Sequence, residues 1–375
     1  MIVVIADDLS GAAELAGAAT CLGLRAEVHT RFQAGASADV VAVDANTRSL
    51  PQEHAAHVTR EITLTIAAAN PEWVYKKCDS VLRGNVLVEI RAVMTATGRA
   101  RALLISANPA RGRVIRGGRY FVNGESLEMT AFAHDPEHPR QTAVVAELLG
   151  GDLARVQTPD AETAADLDHY AAVIDASTLP AGGVEFFEAL LRREMSQGNH
   201  HVPSQPSPVP NDALDSLPKL FVCGSAAAWA NGRMDQCRAH GIAIETMPDE
   251  AAAIEVDDQS LHAWSARIAA ALSSGRSVMV AIGRARICSS PPPATLAERL
   301  ARAVAGAVRG STVSAICAEG GATAAAVARE LGWERFTVGG QLAGGAVNLR
   351  PVAPNTPAFI IKVGSYDWPA DIWER

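Results

Sequence analysis

The chain has 375 residues, 48% of them apolar and 20% charged. This is a globular composition with material for about two domains, and it excludes wholesale disorder. The 33 basic and 41 acidic residues leave a net charge of −8, and aromatic residues make up 5%. A generic nucleic-acid binder, which needs a basic surface or stacking platforms, is thereby excluded.

In the first half the sequence predicts strands at Ile2–Ala6, Ala26–Thr30, Val40–Asp44, Trp73–Lys76, Ala102–Ser106 and Ala172–Ile174. Helices are predicted near Ser10–Leu22, Gln52–Ala69, Asn85–Ala96 and Arg140–Leu149. The Gly117-Gly118 pair reads as a hairpin turn in a flap over the ligand cleft. From Gln197 to Pro218 five prolines alternate with serines and asparagines, a composition that favours extended backbone and marks a linker. The domains expected are therefore 1–200, a proline-rich linker 201–218, and 219–375.

In the second half strands are predicted at Leu220–Cys223, Ala243–Thr246, Ser277–Ile282, Val313–Cys317, Arg335–Val338 and Ala358–Lys362. Helices are predicted near Ala226–His240, Gln259–Ser273, Ala294–Ala307 and Ala322–Leu331. Continuous Val/Ile runs mean strands covered on both faces, so both halves are expected to be α/β domains with mostly parallel sheets and an active-site cleft between them.

No apolar run is long enough to span a bilayer. Met1-Ile2-Val3-Val4-Ile5 reads as a buried strand without the basic stretch of a secretory leader, so a cytoplasmic location is expected. Cys21, Cys78, Cys223, Cys237, Cys288 and Cys317 form no C-x-x-C pair and sit in apolar surroundings, which suits small core residues in a reducing compartment. His134 and His138 are four apart, but Pro136 between them opposes a helical zinc site, and no structural metal is expected.

Ligands of such sheets bind at the carboxyl ends of the strands. The first strand ends in Asp7-Asp8-Leu9-Ser10-Gly11. A helix cap accounts for one aspartate. The second is a candidate acceptor for a polyol or for the proton of a reacting hydroxyl, with Asp8 facing the ligand and Asp7 turned away to cap. The third strand ends in Asp44-Ala45-Asn46-Thr47-Arg48, where Arg48 is either a solvated loop residue or a fork for a carboxylate. After the fourth, Lys76-Lys77-Cys78-Asp79-Ser80-Val81-Leu82-Arg83-Gly84-Asn85 crowds opposite charges into one turn before a helix. A surface turn could carry such charges, but their variety suits an anionic, hydroxylated substrate. In the second half Cys223-Gly224-Ser225, Glu319-Gly320-Gly321-Ala322-Thr323 and Lys362-Val363-Gly364-Ser365 are glycine turns at strand ends. Glycine serves tight βα turns in general, yet three together offer backbone N–H groups to phosphate oxygens. Neither a P-loop nor a dinucleotide fingerprint is present.

Together these stretches, with Gly112-Arg113 to Pro139, resemble the four-carbon acid sugar kinase family, the group of threonate and erythronate kinases. The resemblance runs in order along nearly the whole chain, and Lys-x-Asp-Ser-x-x-Arg-Gly-Asn is its most specific part. It implies an ATP-dependent kinase of a hydroxyl on a small sugar acid, with Mg²⁺ as cofactor, and leaves self-association open. It places Asp8, Arg48, Lys77, Cys78, Asp79, Ser80 and Arg83 against the sugar acid. Asp8 and Asp79 are the catalytic candidates, and Arg83 with Lys77 is expected to hold the substrate carboxylate. Ser225, Gly320, Gly321, Ala322, Thr323 and Gly364 would meet ATP. The chain departs from the family on the nucleotide side. Ala322 stands where aspartate is usual, Ser365-Tyr366-Asp367 replaces Asn-Phe-Gly, and Ala343-Gly344-Gly345 replaces a Pro-Gly. The alternative is a sugar-acid-binding protein of the same fold that has lost ATP turnover. An isomerase or lyase using Asp8 and Asp79 is opposed by the intact glycine turns. ATP is expected to bind despite Ala322, because a backbone cradle survives a side-chain change.

Overall fold

The computed structural model describes residues 1–135, 137–198, 217–225, 229–283, 291–364 and 366–373. Its contacts divide the chain into Met1–Pro206 and Ser207–Arg375. Of the segment 201–218, all but residues 217 and 218 lie outside the described residues, as do Cys288 and Ser365.

The first unit is built on β1 (Ile2–Ala6), β2 (Ala26–His29), β3 (Val40–Asp44), β4 (Trp73–Lys77) and β5 (Arg101–Ile105). An antiparallel set, β6 (Arg113–Arg116), β7 (Arg119–Val122) and β8 (Glu125–Ser126), follows, and then β9 (Val156–Gln157) and β10 (Thr178–Gly182). The main sheet runs β2-β3-β1-β4-β10-β5-β9, every pair parallel. Five consecutive buried residues in β1 and in β3 show why those runs lack alternation: helices cover both faces. The helices are α1 (Leu9–Cys21), α2 (Gln52–Ala67), α3 (Val86–Thr97), α4 (Val145–Leu149), α5 (Ala164–Ala172) and α6 (Val184–Ser196), with α1 against α6 and α2 against α3.

Two expectations need correction in this unit. Ala172–Ile174 is not a strand. Thr163 and Asp166 form a capping box that starts α5, and the apolar run closes that helix. The strand is β10 instead, with Pro180 and Gly182 in it, residues that ordinarily argue against a central strand. A Cβ on Gly182 would stand 1.8 Å from the Ile105 carbonyl oxygen, so the close approach of β5 demands glycine. The helix expected from Arg140 begins only at Val145, because Arg140 is drawn away to the Leu82 carbonyl at 2.9 Å.

The second unit contains β11 (Lys219–Cys223), β12 (Ala243–Thr246), β13 (Val278–Ala281), β14 (Ala315–Glu319), β15 (Arg335–Gln341), β16 (Val347–Pro351) and β17 (Ala358–Lys362). Its order is β12-β13-β11-β14-β17-β16-β15. The pairs from β12 to β17 are parallel, and β16 is antiparallel to both neighbours. The sequence reading missed β16 and set β14 two residues early. Helices α7 (Met234–Ala239), α8 (Asp249–Ala252), α9 (Asp258–Ser273), α10 (Pro293–Arg309) and α11 (Gly321–Glu330) complete it. Of the helix expected at Ala226–His240, residues 226–228 lie outside the described residues, and Trp229–Arg233 is a π turn leading into α7. Each unit has its own apolar core, one around Val3, Ile5, Val41 and Leu104, the other around Phe221, Met279, Cys317 and Ile360. Among the described residues no helix is long and apolar enough to cross a membrane.

Candidate active site

In the first unit Ala6 is in register with Asp44 on β3 and with Lys77 on β4, so three charged strand ends lie side by side. Asp8 is the N-cap of α1. Its Oδ1 accepts from the Gly11 N–H at 2.7 Å, and its Oδ2 accepts from the Ser10 hydroxyl at 2.8 Å. This corrects the expected division of labour, for Asp7 does not cap. Instead Arg48 donates through Nε to Asp7 and through Nη1 to Asp8, both at 2.7 Å. The carboxylates that Arg48 forks belong to its own chain, and its Nη2 lies 3.7 Å from Asp79.

Asp79 organises the turn after β4. It accepts from the Val81 and Arg83 N–H groups and takes two arms of the Arg83 guanidinium at 2.8 and 3.0 Å. Burial would raise its carboxyl, but Arg83 and Arg48 outweigh that and hold it well below the usual carboxylate range. The third arm of Arg83 reaches Asp135 at 2.8 Å. Lys77 donates to the Cys78 carbonyl at 2.8 Å, and its ammonium is 3.6 Å from Glu14. The Ser80 hydroxyl accepts from Arg113, and its carbonyl accepts from Tyr120. Asn85 donates to the Thr47 and Leu50 carbonyls at 3.1 and 2.8 Å, tying the β3 loop to the β4 turn. Asn46 (φ 49°) and Leu82 (φ 61°), one in each of these segments, hold left-handed backbone that costs a non-glycine residue energy, as is common where a site is shaped.

The Cys78 side chain belongs to the core cluster, burial pushes its thiol up to about 12, and its carbonyl accepts from Lys77. Asp8, Arg48, Lys77, Asp79, Ser80 and Arg83 do come together. Arg113, Tyr120, Phe132 and Asp135, in the stretch Gly112-Arg113 to Pro139 that carries the resemblance, and Arg140 just beyond it have no site role in the sequence analysis. The Arg83 and Arg113 guanidinium carbons stand 5.8 and 5.5 Å from the centre of the Phe132 ring. The Gly117-Gly118 hairpin carries Arg113 and Tyr120 to Ser80, and that glycine pair was the available signal.

In the second unit the three glycine turns follow β11, β14 and β17, which are neighbours in the sheet. A Cβ on Gly224 would meet Thr323 Oγ1 at 2.3 Å, and one on Gly364 would lie 3.8 Å from Gly320 Cα, so Gly224, Gly320, Thr323 and Gly364 stand together, with Ser225 next to Gly224. Gly320 has φ +87°, and a Cβ there would meet nothing within 4 Å. The N–H groups of Gly321, Ala322 and Thr323 open α11 beside that space, and Ala322 is exposed. Such a cradle suits a phosphate. Beneath it Lys362 is fully buried and donates to Glu319 at 3.2 Å and to the carbonyls of Val363, Gly364 and Tyr366. Arg233 reaches the same Glu319 oxygen at 3.1 Å.

The geometry is that of an α/β protein with a charged side-chain cluster at the strand ends of one unit and three neighbouring glycine turns at those of the other. Residues 2–202 match the family model of a sugar-binding N-terminal domain, and residues 220–365 that of a nucleotide-binding C-terminal domain. The chain belongs to the four-carbon acid sugar kinase family. It is 35% identical over 150 residues to the D-threonate kinase of Salmonella typhimurium, covering 39% of this chain but only 36% of that one. Against the 3-oxo-tetronate kinase of Methylobacterium radiotolerans the identity is 25%, over 96% of this chain and 95% of the other. A solved structure from Salmonella typhimurium LT2 shares the fold with a TM-score of 0.72, at 19% identity, covering 98% of this chain and 96% of that one.

Proposed function

We propose that the chain is an ATP-dependent kinase that phosphorylates a hydroxyl of a small sugar acid of about four carbons. The observation that carries this is the buried meeting of Arg48, Lys77 and Arg83 with Asp8 and Asp79 at the strand ends of the unit that matches a sugar-binding domain. Such a set can grip a carboxylate and several hydroxyls at once. In this reading the substrate carboxylate takes the place Asp135 holds on Arg83, with Lys77 beside it. Asp8, which accepts from three donors, keeps an acceptor site for a substrate hydroxyl, and Asp8 and Asp79 hold Arg48 and Arg83 in position. Ser80 is a further hydroxyl partner. On the nucleotide side Gly320, Gly321, Ala322 and Thr323 offer N–H groups to the phosphates, with Ser225 and Gly364 flanking them.

Mg²⁺ bound with the nucleotide supplies charge neutralisation in reactions of this class. Among the described residues no three His, Cys, Asp or Glu side chains gather where they could hold a metal. An ion of this kind is ordinarily carried on phosphates and water. The named relatives act on threonate and 3-oxo-tetronate, which sets the panel to test. ADP formation from ATP and Mg²⁺ is measured over D-threonate, D-erythronate, 3-oxo-tetronate and branched sugar acids. Turnover with at least one of them is expected, and ATP binding without turnover on any would overturn the reading.

A further inference from the structure

An attacking hydroxyl has to lose a proton, and the carboxylates at the three strand ends differ sharply in their freedom to take one. Asp79 is bound by two backbone N–H groups and both near arms of Arg83. Asp8 is bound by Gly11, Ser10 and Arg48. Asp7 gives one oxygen to Arg48, and its other oxygen is sealed in the core without a partner. Among the described residues Asp44 makes a single hydrogen bond, accepting at Oδ1 from the Asn46 N–H at 2.8 Å, and no cation lies within ion-pair distance of it. Carboxylates neutralised by guanidinium are weak bases. Asp44 is buried, lies in register with Ala6 beside Asp7 and Asp8, and keeps its second oxygen unengaged.

We propose that Asp44 is the residue that takes the proton of the attacking hydroxyl, while Asp8 and Asp79 orient the substrate; this rests on the kinase reading. In the step, the O–H bond of the substrate breaks and its proton passes to the free oxygen of Asp44. The substrate oxygen forms a bond to the terminal phosphorus of ATP, the bond from that phosphorus to the bridging oxygen breaks, and ADP leaves with the electron pair. The groups facing Asp44 are Asp8 and Asp7 from the end of β1 and Arg48 from its own loop. On β2 the titratable residues Glu27 and His29 lie 3.0 Å from each other and are in register with Val41 and Val43, not with Asp44. Burial first, then the Asp8 and Asp7 charges, push the Asp44 carboxyl up to about 7, against the pull of the Asn46 N–H and Arg48. A base works when unprotonated, so turnover rises as pH climbs through about 7.

The test uses Asp44→Asn and Asp44→Glu in the full chain, with the sugar acid that gives the highest turnover. Asp44→Asn keeps an oxygen for the Asn46 N–H, so melting temperature and both ligand affinities are expected to hold. Its kcat should fall about 10²-fold or more, with the acidic limb of the pH profile gone. Asp44→Glu should retain part of the turnover together with that limb. Asp44→Asn with a near-parental kcat and an unchanged limb would overturn the assignment. So would loss of sugar-acid affinity in step with stability, which marks a structural role. Absence of ADP formation by the parent chain with every sugar acid is a separate failure, that of the kinase reading.

Discussion

Arg83 spends its whole guanidinium on the chain itself, two arms on Asp79 and one on Asp135. Asp135 is the more exposed partner, 17% against 6% for Asp79, so it is the one a substrate carboxylate can displace. Arg83→Ala should therefore weaken sugar-acid binding by about 30-fold or more, corresponding to ~2–5 kcal/mol. Nucleotide affinity should stay unchanged. Titration calorimetry with D-threonate and with a non-hydrolysable ATP analogue checks both, and equal loss of the two would take Arg83 out of the site. The same residues set the acid limit of stability. The Asp79 carboxyl is held below its ordinary value, so its contribution is present above about pH 4 and lost as pH falls further. Asp7 acts in the same direction: burial opposes, and Arg48 and the β4 lysines prevail. Asp79→Asn should flatten the fall in unfolding free energy between pH 4 and pH 2, as read by urea titration; an unchanged slope would mean the Arg83 pair does not persist in solution. That Arg48 and Arg83 matter was legible from charges at strand ends. Their partners were not, because Arg48 and Asp7 are 41 residues apart and only the fold joins them.

The turn after β17 shows what an element adds to its residues. Lys362 stands at the head of the Lys362-Val363-Gly364 turn. In the fold it lies under the turn, and its ammonium gathers the Val363, Gly364 and Tyr366 carbonyls and Glu319. Carbonyls drawn inward leave the other side of the turn free for donors, so Lys362 shapes the cradle from below. Lys362→Met breaks a buried pair and should cost about 3–5 kcal/mol of stability. It should also weaken the ATP analogue while sparing D-threonate, as measured by calorimetry below the melting temperature. Weakening of D-threonate alone would contradict this placement. Other elements show where sequence patterns run out. The Gly117-Gly118 hairpin was legible because its turn chemistry is local. Strand β10 was hidden because Pro180 and Gly182 are tolerated only through the contacts of β4 and β5.

At the scale of the molecule, each unit has its own core and its own set of strand ends, so each ligand should stabilise the unit that binds it. At about 100 times its dissociation constant a ligand adds about 2.7 kcal/mol to the state that binds it. Limited proteolysis tests this. Saturating D-threonate should slow cleavage within residues 2–198, and the ATP analogue should slow cleavage within 217–373. Protection of the second range by D-threonate alone would reverse the assignment of the two units. The sequence by itself determined the alternation of elements, the parallel sheets and the polar residues clustered at strand ends. Those follow from local periodicity and from turn chemistry, which neighbours in the chain decide. Tertiary structure alone decided that Asp8 caps while Asp7 pairs, that Cys78 turns into the core, and that Asp44 has no cation within ion-pair distance among the described residues. Charge neutralisation depends on distances of a few ångströms between groups tens of residues apart, and the register of β3, β1 and β4 sets those distances.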